Sequence, residues 1–195
     1  MARLWERIRM AIPKSLKHIT PDGEDSFILA YGSNLSQKRM AYRCPDMRVI
    51  GVTEIPGYRM LFKHSMTGAY ATIEQDANCS VPALVYRVTP EDEARLDRFE
   101  GYPRCYYKRE FFLPVWKPEG GRLRNRKHCI AYILHEDREL GEPGAEYYSI
   151  VKRGYLDWSF DMRILEKALS DSIGNKTAAM WLKRHRKELE IHGEE

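Results

Sequence analysis

Seven short apolar runs between positions 27 and 134 constrain the fold more than any other feature of this sequence. Each run is bounded by Gly, Pro, Asn or Asp, the residues that usually flank strands. The runs predict strands at positions 27–31, 47–54, 58–62, 69–74, 83–88, 106–115 and 128–134. Helical stretches lie between them at 36–43 and 90–99. Before the second, Thr89 is a suitable N-cap, and Pro90 suits the first helical position.

The period of the sequence becomes helical after Pro143. Tyr147, Ile150, Val151 and Tyr155 fall on one face of a helix. Further helices are predicted at positions 162–169 and 177–189. The chain therefore ends in helices.

The first 20 residues form a separate pattern, in which Leu4, Trp5, Ile8 and Ile12 recur at helical spacing among Arg and Lys residues. This pattern predicts a basic amphipathic helix. Two interpretations stay open: the helix docks on its own domain or on a partner subunit, as in a homo-oligomer, or it binds a membrane surface or an acidic partner. The turn-forming segment Pro21-Asp22-Gly23-Glu24-Asp25 ends the pattern and marks the start of the folded core.

Bulk properties exclude several classes of protein. A chain of 195 residues fits one domain with terminal extensions, and it can bury a core without disulfides or metals. The net charge of +4 is too small to imply an obligatory nucleic-acid or membrane partner. No apolar run approaches the roughly 20 residues of a membrane span, so we expect no transmembrane segment.

The cysteines and histidines do not form metal motifs. Cys44, Cys79, Cys105 and Cys129 stand far apart without a C-x-x-C pair, so the sequence indicates neither a zinc knuckle nor a disulfide framework. The six histidines are scattered, and none belongs to an H-E-x-x-H motif. Reduced thiols favour a cytoplasmic location, and we expect no bound metal.

A tight turn follows the first predicted strand, at Tyr31-Gly32-Ser33-Asn34-Leu35, and leads into a predicted helix. Strand, turn and helix in this order can present backbone N–H groups to a ligand, because Gly permits close approach and a helix start leaves donors unpaired. Ser33 or Asn34 is the expected N-cap of the helix. The turn matches neither a P-loop nor a dinucleotide-binding fingerprint.

A glutamate ends the second predicted helix. Glu100 precedes Gly101, which suits the left-handed conformation of a helix C-cap. The negative end of a helix disfavours a nearby anion, and burial among Phe99, Tyr102 and Tyr106 would act in the same direction. Both effects predict a raised pKa, which suits Glu100 to general acid–base catalysis near neutral pH.

These segments occur in an order that resembles the γ-glutamylcyclotransferase-like (AIG2-like) family. The similarity covers about residues 27–155 and rests on four motifs in the correct order: Tyr31-Gly32-Ser33-Asn34-Leu35, Gly68-Ala69-Tyr70-Ala71-Thr72-Ile73, Ala83-Leu84-Val85-Tyr86-Arg87-Val88-Thr89-Pro90-Glu91 and Leu96-Asp97-Arg98-Phe99-Glu100-Gly101. The later stretch Pro143-Gly144-Ala145-Glu146-Tyr147 is similar to the start of the family's closing helix, which usually opens Pro-Ser. Here Gly144 replaces the Ser.

The resemblance implies an α+β fold, with a small mixed β-barrel-like sheet flanked by helices. Together with the flanking patterns it divides the chain into a leader over residues 1–24, a family domain over 25–160 and a C-terminal helical extension over 161–195. Members of the family cyclise the γ-glutamyl group of an amide or peptide, releasing 5-oxoproline and a free amine or amino acid without a cofactor. By motif position, Tyr31, Gly32, Ser33, Asn34 and Leu35 would bind the glutamyl group, Glu100 would transfer the proton, and Tyr147 would line the pocket wall.

Two alternatives remain open at this point. The fold can persist without catalysis as a small-molecule or protein-binding module, because a fold does not fix a function. Alternatively, the leaving group can differ, as in a γ-glutamyl amine, a γ-glutamylated antibiotic intermediate or a protein-linked isopeptide.

Overall fold

In the computed structural model of the protein, the described residues are 25–117, 121 and 126–191. The predicted amphipathic leader over residues 1–24 lies outside them. Within the described residues, none of the helices is both long and apolar enough to cross a membrane.

A mixed β-sheet is the centre of the fold. Its described strands are β1 (Ser26–Ala30), β2 (Arg48–His64), β3 (Ala69–Val88), β4 (Tyr106–Leu113) and β5 (Lys127–Leu134). They lie in the order β2-β3-β1-β5-β4. Short β1 lies in the middle of the sheet, antiparallel to β3 and parallel to β5. The sheet is not closed, although backbone hydrogen bonds of 2.9 Å in both directions between Val52 and Trp116 join its two edges. The predicted α+β class with a mixed sheet is confirmed.

The described residues form five strands rather than the seven predicted, because β2 and β3 each join two of the predicted runs into one long strand. The segment Pro56-Gly57, interpreted as a strand boundary, is a bulge: Gly57 has a φ of 76°, and the pairing register shifts between Pro56 and Tyr58. Glycine at positive φ marks bulges as well as turns. The sequence signal was therefore correct in position, but its interpretation as a strand end was wrong.

Helices flank the sheet, and their caps follow from the sequence. The side chain of Thr89 accepts a hydrogen bond from the Asp92 N–H at 3.2 Å, and Gly101 has a φ of 64°, as predicted for the two ends of the helix Pro90–Glu100. The predicted helix over 177–189 is divided at His185 into two helices. The helices are α1 (Gln37–Arg43), α2 (Pro90–Glu100), α3 (Ala145–Asp157), α4 (Met162–Ile173), α5 (Asn175–Arg184) and α6 (Arg186–Ile191).

The C-terminal helices share the core of the sheet. Buried Leu165 and Leu169 of α4 belong to the same apolar cluster as the strands, and the Ser172 hydroxyl accepts a hydrogen bond from the Phe62 N–H of β2 at 2.8 Å. In α5, Trp181 packs edge-on against a tyrosine of α3 with ring centroids 5.0 Å apart. These contacts hold α3 against the sheet, and α3 carries one wall of the candidate site.

Candidate active site

The end of β1 fixes the first wall of the site. Tyr31 is 5% exposed, and its hydroxyl donates a hydrogen bond to the Tyr132 carbonyl oxygen in β5. The chain then forms a 3₁₀ turn over Ser33–Leu35, in which the Leu35 N–H donates to the Gly32 carbonyl oxygen at 3.0 Å. The strand thus leads directly into a tight turn, whose first N–H groups have no partner within the 3₁₀ helix itself.

The N-cap of α1 differs from the one expected. Ser36, rather than Ser33 or Asn34, accepts a hydrogen bond from the Arg39 N–H, at 3.4 Å. The 3₁₀ turn is inserted between strand and helix and moves the start of α1 beyond Leu35. The predicted capping role of Ser33 or Asn34 is therefore wrong.

Leu35 does not contact the cavity, contrary to its predicted role in binding the glutamyl group. Its side chain is 1% exposed in the core, and its N–H is already bonded to Gly32. A Cβ placed on Gly154 of α3 would lie 2.4 Å from the Leu35 Cβ, and the Trp158 indole N–H donates to the Leu35 carbonyl oxygen at 3.3 Å. Leu35 therefore anchors the turn against α3.

The end of α2 brings Glu100 to this turn. The left-handed Gly101 ends the helix, and the Tyr102 N–H donates back to the Asp97 carbonyl oxygen at 2.9 Å. The carboxylate of Glu100, only 12% exposed, then accepts a hydrogen bond from the Asn34 side-chain amide at 2.9 Å. Residues 66 positions apart thus meet in one site.

Arg43 completes a three-residue cluster that the sequence analysis did not identify. Its Nη1 lies 2.7 Å from the Asn34 Oδ1 and 3.2 Å from the Glu100 Oε1. The guanidinium also lies over the Phe99 ring, 5.3 Å from its centroid. Asn34 and Arg43 both contact Oε1 of the carboxylate, and neither of these contacts uses Oε2. The cluster therefore holds the carboxylate in one orientation through contacts to Oε1 alone.

Burial raises the pKa of Glu100 above its ordinary value, and the Arg43 cation and the Asn34 hydrogen bond oppose the rise. The predicted direction is confirmed, but part of its predicted cause is not. Phe99 and Tyr102, expected to bury the carboxylate, are themselves 53% and 42% exposed. A carboxyl group with a raised pKa can accept and donate a proton near neutral pH.

A cavity of about 420 Å³ connects the turn with the glutamate. Its size lies within the range that holds small organic ligands. Six of the seven predicted site residues line it: Tyr31, Gly32, Ser33, Asn34, Glu100 and Tyr147. Within the described residues, no group of three or more His, Cys, Asp or Glu side chains is placed to hold a metal ion.

Tyr147 forms the opposite wall, on α3. Its hydroxyl oxygen accepts a hydrogen bond from the Ala71 N–H of β3 at 3.1 Å, and its ring packs edge-on against Tyr70 at 4.9 Å. Burial, together with the nearby Glu100 charge, raises the pKa of Tyr147 to about 12. A Cβ on Gly32 would lie 3.3 Å from this hydroxyl, so the missing side chain leaves room for the tyrosine beside the turn.

Comparison with known proteins shows the family of this chain. A sequence model of the family "Gamma-glutamyl cyclotransferase, AIG2-like" matches residues 28–154. The chain is 27% identical over 159 residues to the Homo sapiens protein Gamma-glutamylcyclotransferase, an alignment that covers 77% of this chain and 81% of the human protein. The chain belongs to the γ-glutamyl cyclotransferase, AIG2-like family.

Two solved structures show the same fold. The structure of a protein named Gamma-glutamyl cyclotransferase superposes with a TM-score of 0.62 at 23% identity, covering 83% of this chain and 99% of that one. An uncharacterized protein from Homo sapiens superposes with a TM-score of 0.63 at 24% identity, with the same coverage.

The part matched to the γ-glutamyl cyclotransferase family runs from β1 into α3 and includes every residue of the candidate site. It also includes Gly144, which replaces the expected Ser. Gly144 occupies the N-cap of α3, where no side-chain hydrogen bond caps the helix. Helices α4 to α6 lie beyond the matched region, although they pack on the same core.

Proposed function

We propose that this protein is a γ-glutamyl cyclotransferase that acts on a γ-glutamyl amide or peptide, releasing 5-oxoproline and a free amine or amino acid. The observation that carries the proposal is the 2.9 Å hydrogen bond from Asn34 to Glu100, because it joins the turn and a buried carboxylate in one cavity. Membership of the γ-glutamyl cyclotransferase family supports the same reaction class.

The reaction begins with proton removal. The substrate's α-ammonium group cannot attack, so the Glu100 carboxylate takes its proton, and the amine nitrogen then forms a bond to the γ-carbonyl carbon. A five-membered ring results. Because the nucleophile is tethered to its target, effective molarities of roughly 10⁵ to 10⁸ M are available when the cavity fixes the folded substrate.

Collapse of the tetrahedral intermediate breaks the bond to the leaving nitrogen. Glu100 returns its proton to that nitrogen, a role worth typically about 10² to 10⁴-fold in rate. Overall, the attacking nitrogen loses two protons and the departing nitrogen gains two. Glu100 transfers one of them, and the other is exchanged through solvent. Glu100 therefore ends in its starting ionisation state, and 5-oxoproline and the free amine leave.

Negative charge on the γ-oxygen needs donors that are already in place. The N–H groups of Gly32, Ser33 and Asn34 precede the first hydrogen bond of the 3₁₀ turn, and these residues line the cavity beside Glu100. The Ser33 backbone also hydrogen-bonds the Tyr147 side chain, so we assign the N–H groups of Gly32 and Asn34 to the developing oxyanion. Each such donor is worth on the order of 10² to 10³ in rate.

Glu100→Gln tests the proposal. We expect the wild type to form 5-oxoproline from at least one member of a γ-glutamyl library that includes dipeptides, amines and isopeptides, measured by liquid chromatography. The variant should lose about two or more orders of magnitude in turnover while unfolding at a similar urea concentration. Equal turnover in both proteins would remove Glu100 from the mechanism. Binding of these compounds without product from either protein would favour a catalytically lapsed binding module on the same fold.

We also propose a cytoplasmic location. The support is that all four cysteines, Cys44, Cys79, Cys105 and Cys129, are free thiols in the structure, as in proteins of reducing compartments. Cell fractionation tests this location.

A further inference from the structure

Two further arginines line the cavity in addition to Arg43: Arg39 of α1 and Arg98 of α2. Within residues 25–117, 121 and 126–191, neither side chain has an acidic partner, whereas Arg43 is held by Glu100. A cation in a cavity without a carboxylate beside it is available to an anionic ligand. These two side chains have no role in the reaction derived above.

The two arginines lie on the two helices that carry the charged pair of the site, Arg43 on α1 and Glu100 on α2. Arg39 stands one helical turn before Arg43 on α1, and Arg98 stands two residues before Glu100 in the last turn of α2. Arg39 is half-buried and Arg98 is exposed, which places the pair toward the mouth of the cavity. A leaving group that receives its proton from Glu100 and extends toward this mouth would meet both arginines.

The charge inventory of the cavity is unequal. Three arginines and one carboxylate, that of Glu100, face it, so two positive charges remain when Glu100 is ionised. The α-carboxylate and the α-ammonium of any γ-glutamyl substrate cancel each other, so both positive charges remain for the leaving group. Each carboxylate of the leaving group neutralises one of these charges, and an amine without a carboxylate neutralises none.

We infer that Arg39 and Arg98 make this site selective for γ-glutamyl substrates with an anionic leaving group, in proportion to the number of its carboxylates. This inference rests on the proposed function and names the substrate class of the same site. The preferred substrate is a γ-glutamyl dipeptide whose second residue has an acidic side chain. A dipeptide whose second residue has an uncharged side chain follows, and a γ-glutamyl amine without a carboxylate on the leaving group is the poorest.

Three substrates of graded charge test this order: γ-glutamyl-glutamate, γ-glutamyl-alanine and γ-glutamyl-alaninamide. Exposed ion pairs are weak, so we expect kcat/KM to rise about threefold to fivefold with each added carboxylate. The kcat/KM for γ-glutamyl-glutamate should then exceed that for γ-glutamyl-alaninamide about tenfold or more. Raising the salt concentration from 0.05 to 0.5 M should reduce this ratio of kcat/KM values, because salt screens ion pairs at the protein surface.

The double variant R39Q/R98Q should bring the ratio between the first and last substrate close to one. A matched control, K38Q/R184Q, removes the same net charge from exposed residues of α1 and α5 that do not line the cavity, and it should keep the wild-type ratio. An equal loss on all three substrates would mean that the arginines bind only the shared glutamyl carboxylate. That result, or an unchanged ratio, would overturn the inference.

Affinity provides a readout that does not depend on turnover. The same three compounds are titrated by calorimetry into the Glu100→Gln protein, with and without R39Q/R98Q. The inference is supported if affinity rises with the number of carboxylates on the leaving group and the arginine substitutions abolish this order. This holds even if the wild type forms no 5-oxoproline, a result in which only the proposed reaction fails. Ring-closed product from all three compounds without a charge order refutes the inference and leaves the reaction intact.

Discussion

Replacing Arg43 with Met should raise the pKa of Glu100 further. In the part of the chain that the structure describes, Arg43 is the one cation in contact with this carboxylate, with Nη1 and Oε1 3.2 Å apart and both side chains less than 20% exposed. Coulomb's law at an effective dielectric constant of about 20 gives an attraction of about 5 kcal/mol, an upper bound. Since one pKa unit corresponds to about 1.36 kcal/mol, and solvent entering the vacated space offsets part of the loss, we expect the pKa to rise by about one to three.

The titration can be followed directly by NMR of the protein labelled with ¹³C at glutamate carboxyl groups, with Glu100→Gln to assign the signal. The sign is unambiguous, because removal of a cation disfavours the ionised form. In the activity assay, the acidic limb of the kcat/KM profile should move to higher pH by the same amount. Arg43→Lys keeps the charge and should shift the pKa much less. A Glu100 pKa unchanged in Arg43→Met would refute the electrostatic role of the cluster.

Three further predictions concern the frame of the site. Gly154→Ala should destabilise the protein by about 2 kcal/mol in urea titrations, because the added Cβ would lie 2.4 Å from the Leu35 Cβ and overpacking outweighs the gain in helix propensity. Tyr147→Phe should cost about 1 to 2 kcal/mol, because the Ala71 N–H loses its acceptor. Glu100→Gln should become more stable relative to wild type as pH rises from the ordinary glutamate pKa through the raised one, because the folded wild type must release a proton there that the unfolded chain has already lost.

Each of these predictions has a control. A Cβ on Gly144 would meet no atom within 4 Å, so Gly144→Ala should cost less than about 1 kcal/mol, mostly from the N-cap. Tyr42 is 80% exposed, and Tyr42→Phe should change stability by less than about 0.5 kcal/mol. A stability difference between Glu100→Gln and wild type that stays constant from pH 4 to 8 would contradict the raised pKa.

The sequence predicted the parts of the site that local signals encode. A Gly-containing turn after a buried strand and a Glu before a C-cap Gly are features of a few adjacent residues, and both occur where expected. Their convergence followed only from the family resemblance, since no local rule brings residues 34 and 100 together. Tyr147 was found in the same way.

Other features depend on tertiary contacts and could not be read from local patterns. Arg39 and Arg43 lie four residues apart on α1, a spacing that places them on one face, but only the packing of α1 beside α2 turns that face toward Glu100. The buried position of Leu35 depends on Gly154, 119 residues later. The fused strands depend on pairing, because the glycine that bends β2 at its bulge gives the same signal as one that ends a strand.

Burial and the Arg43 contact act on Glu100 in opposite directions, and the proposed reaction needs both. A carboxyl group that was buried alone would stay protonated at neutral pH and could not accept the substrate's proton. A carboxylate paired with arginine but exposed would be a weak base and would seldom carry the proton that the leaving nitrogen requires. In the structure, burial exceeds the combined effect of Arg43 and Asn34, so the pKa is raised while the ionised form keeps two partners. The contact of both partners with Oε1 holds the group in place while it changes ionisation, and the same carboxyl can therefore serve both proton transfers.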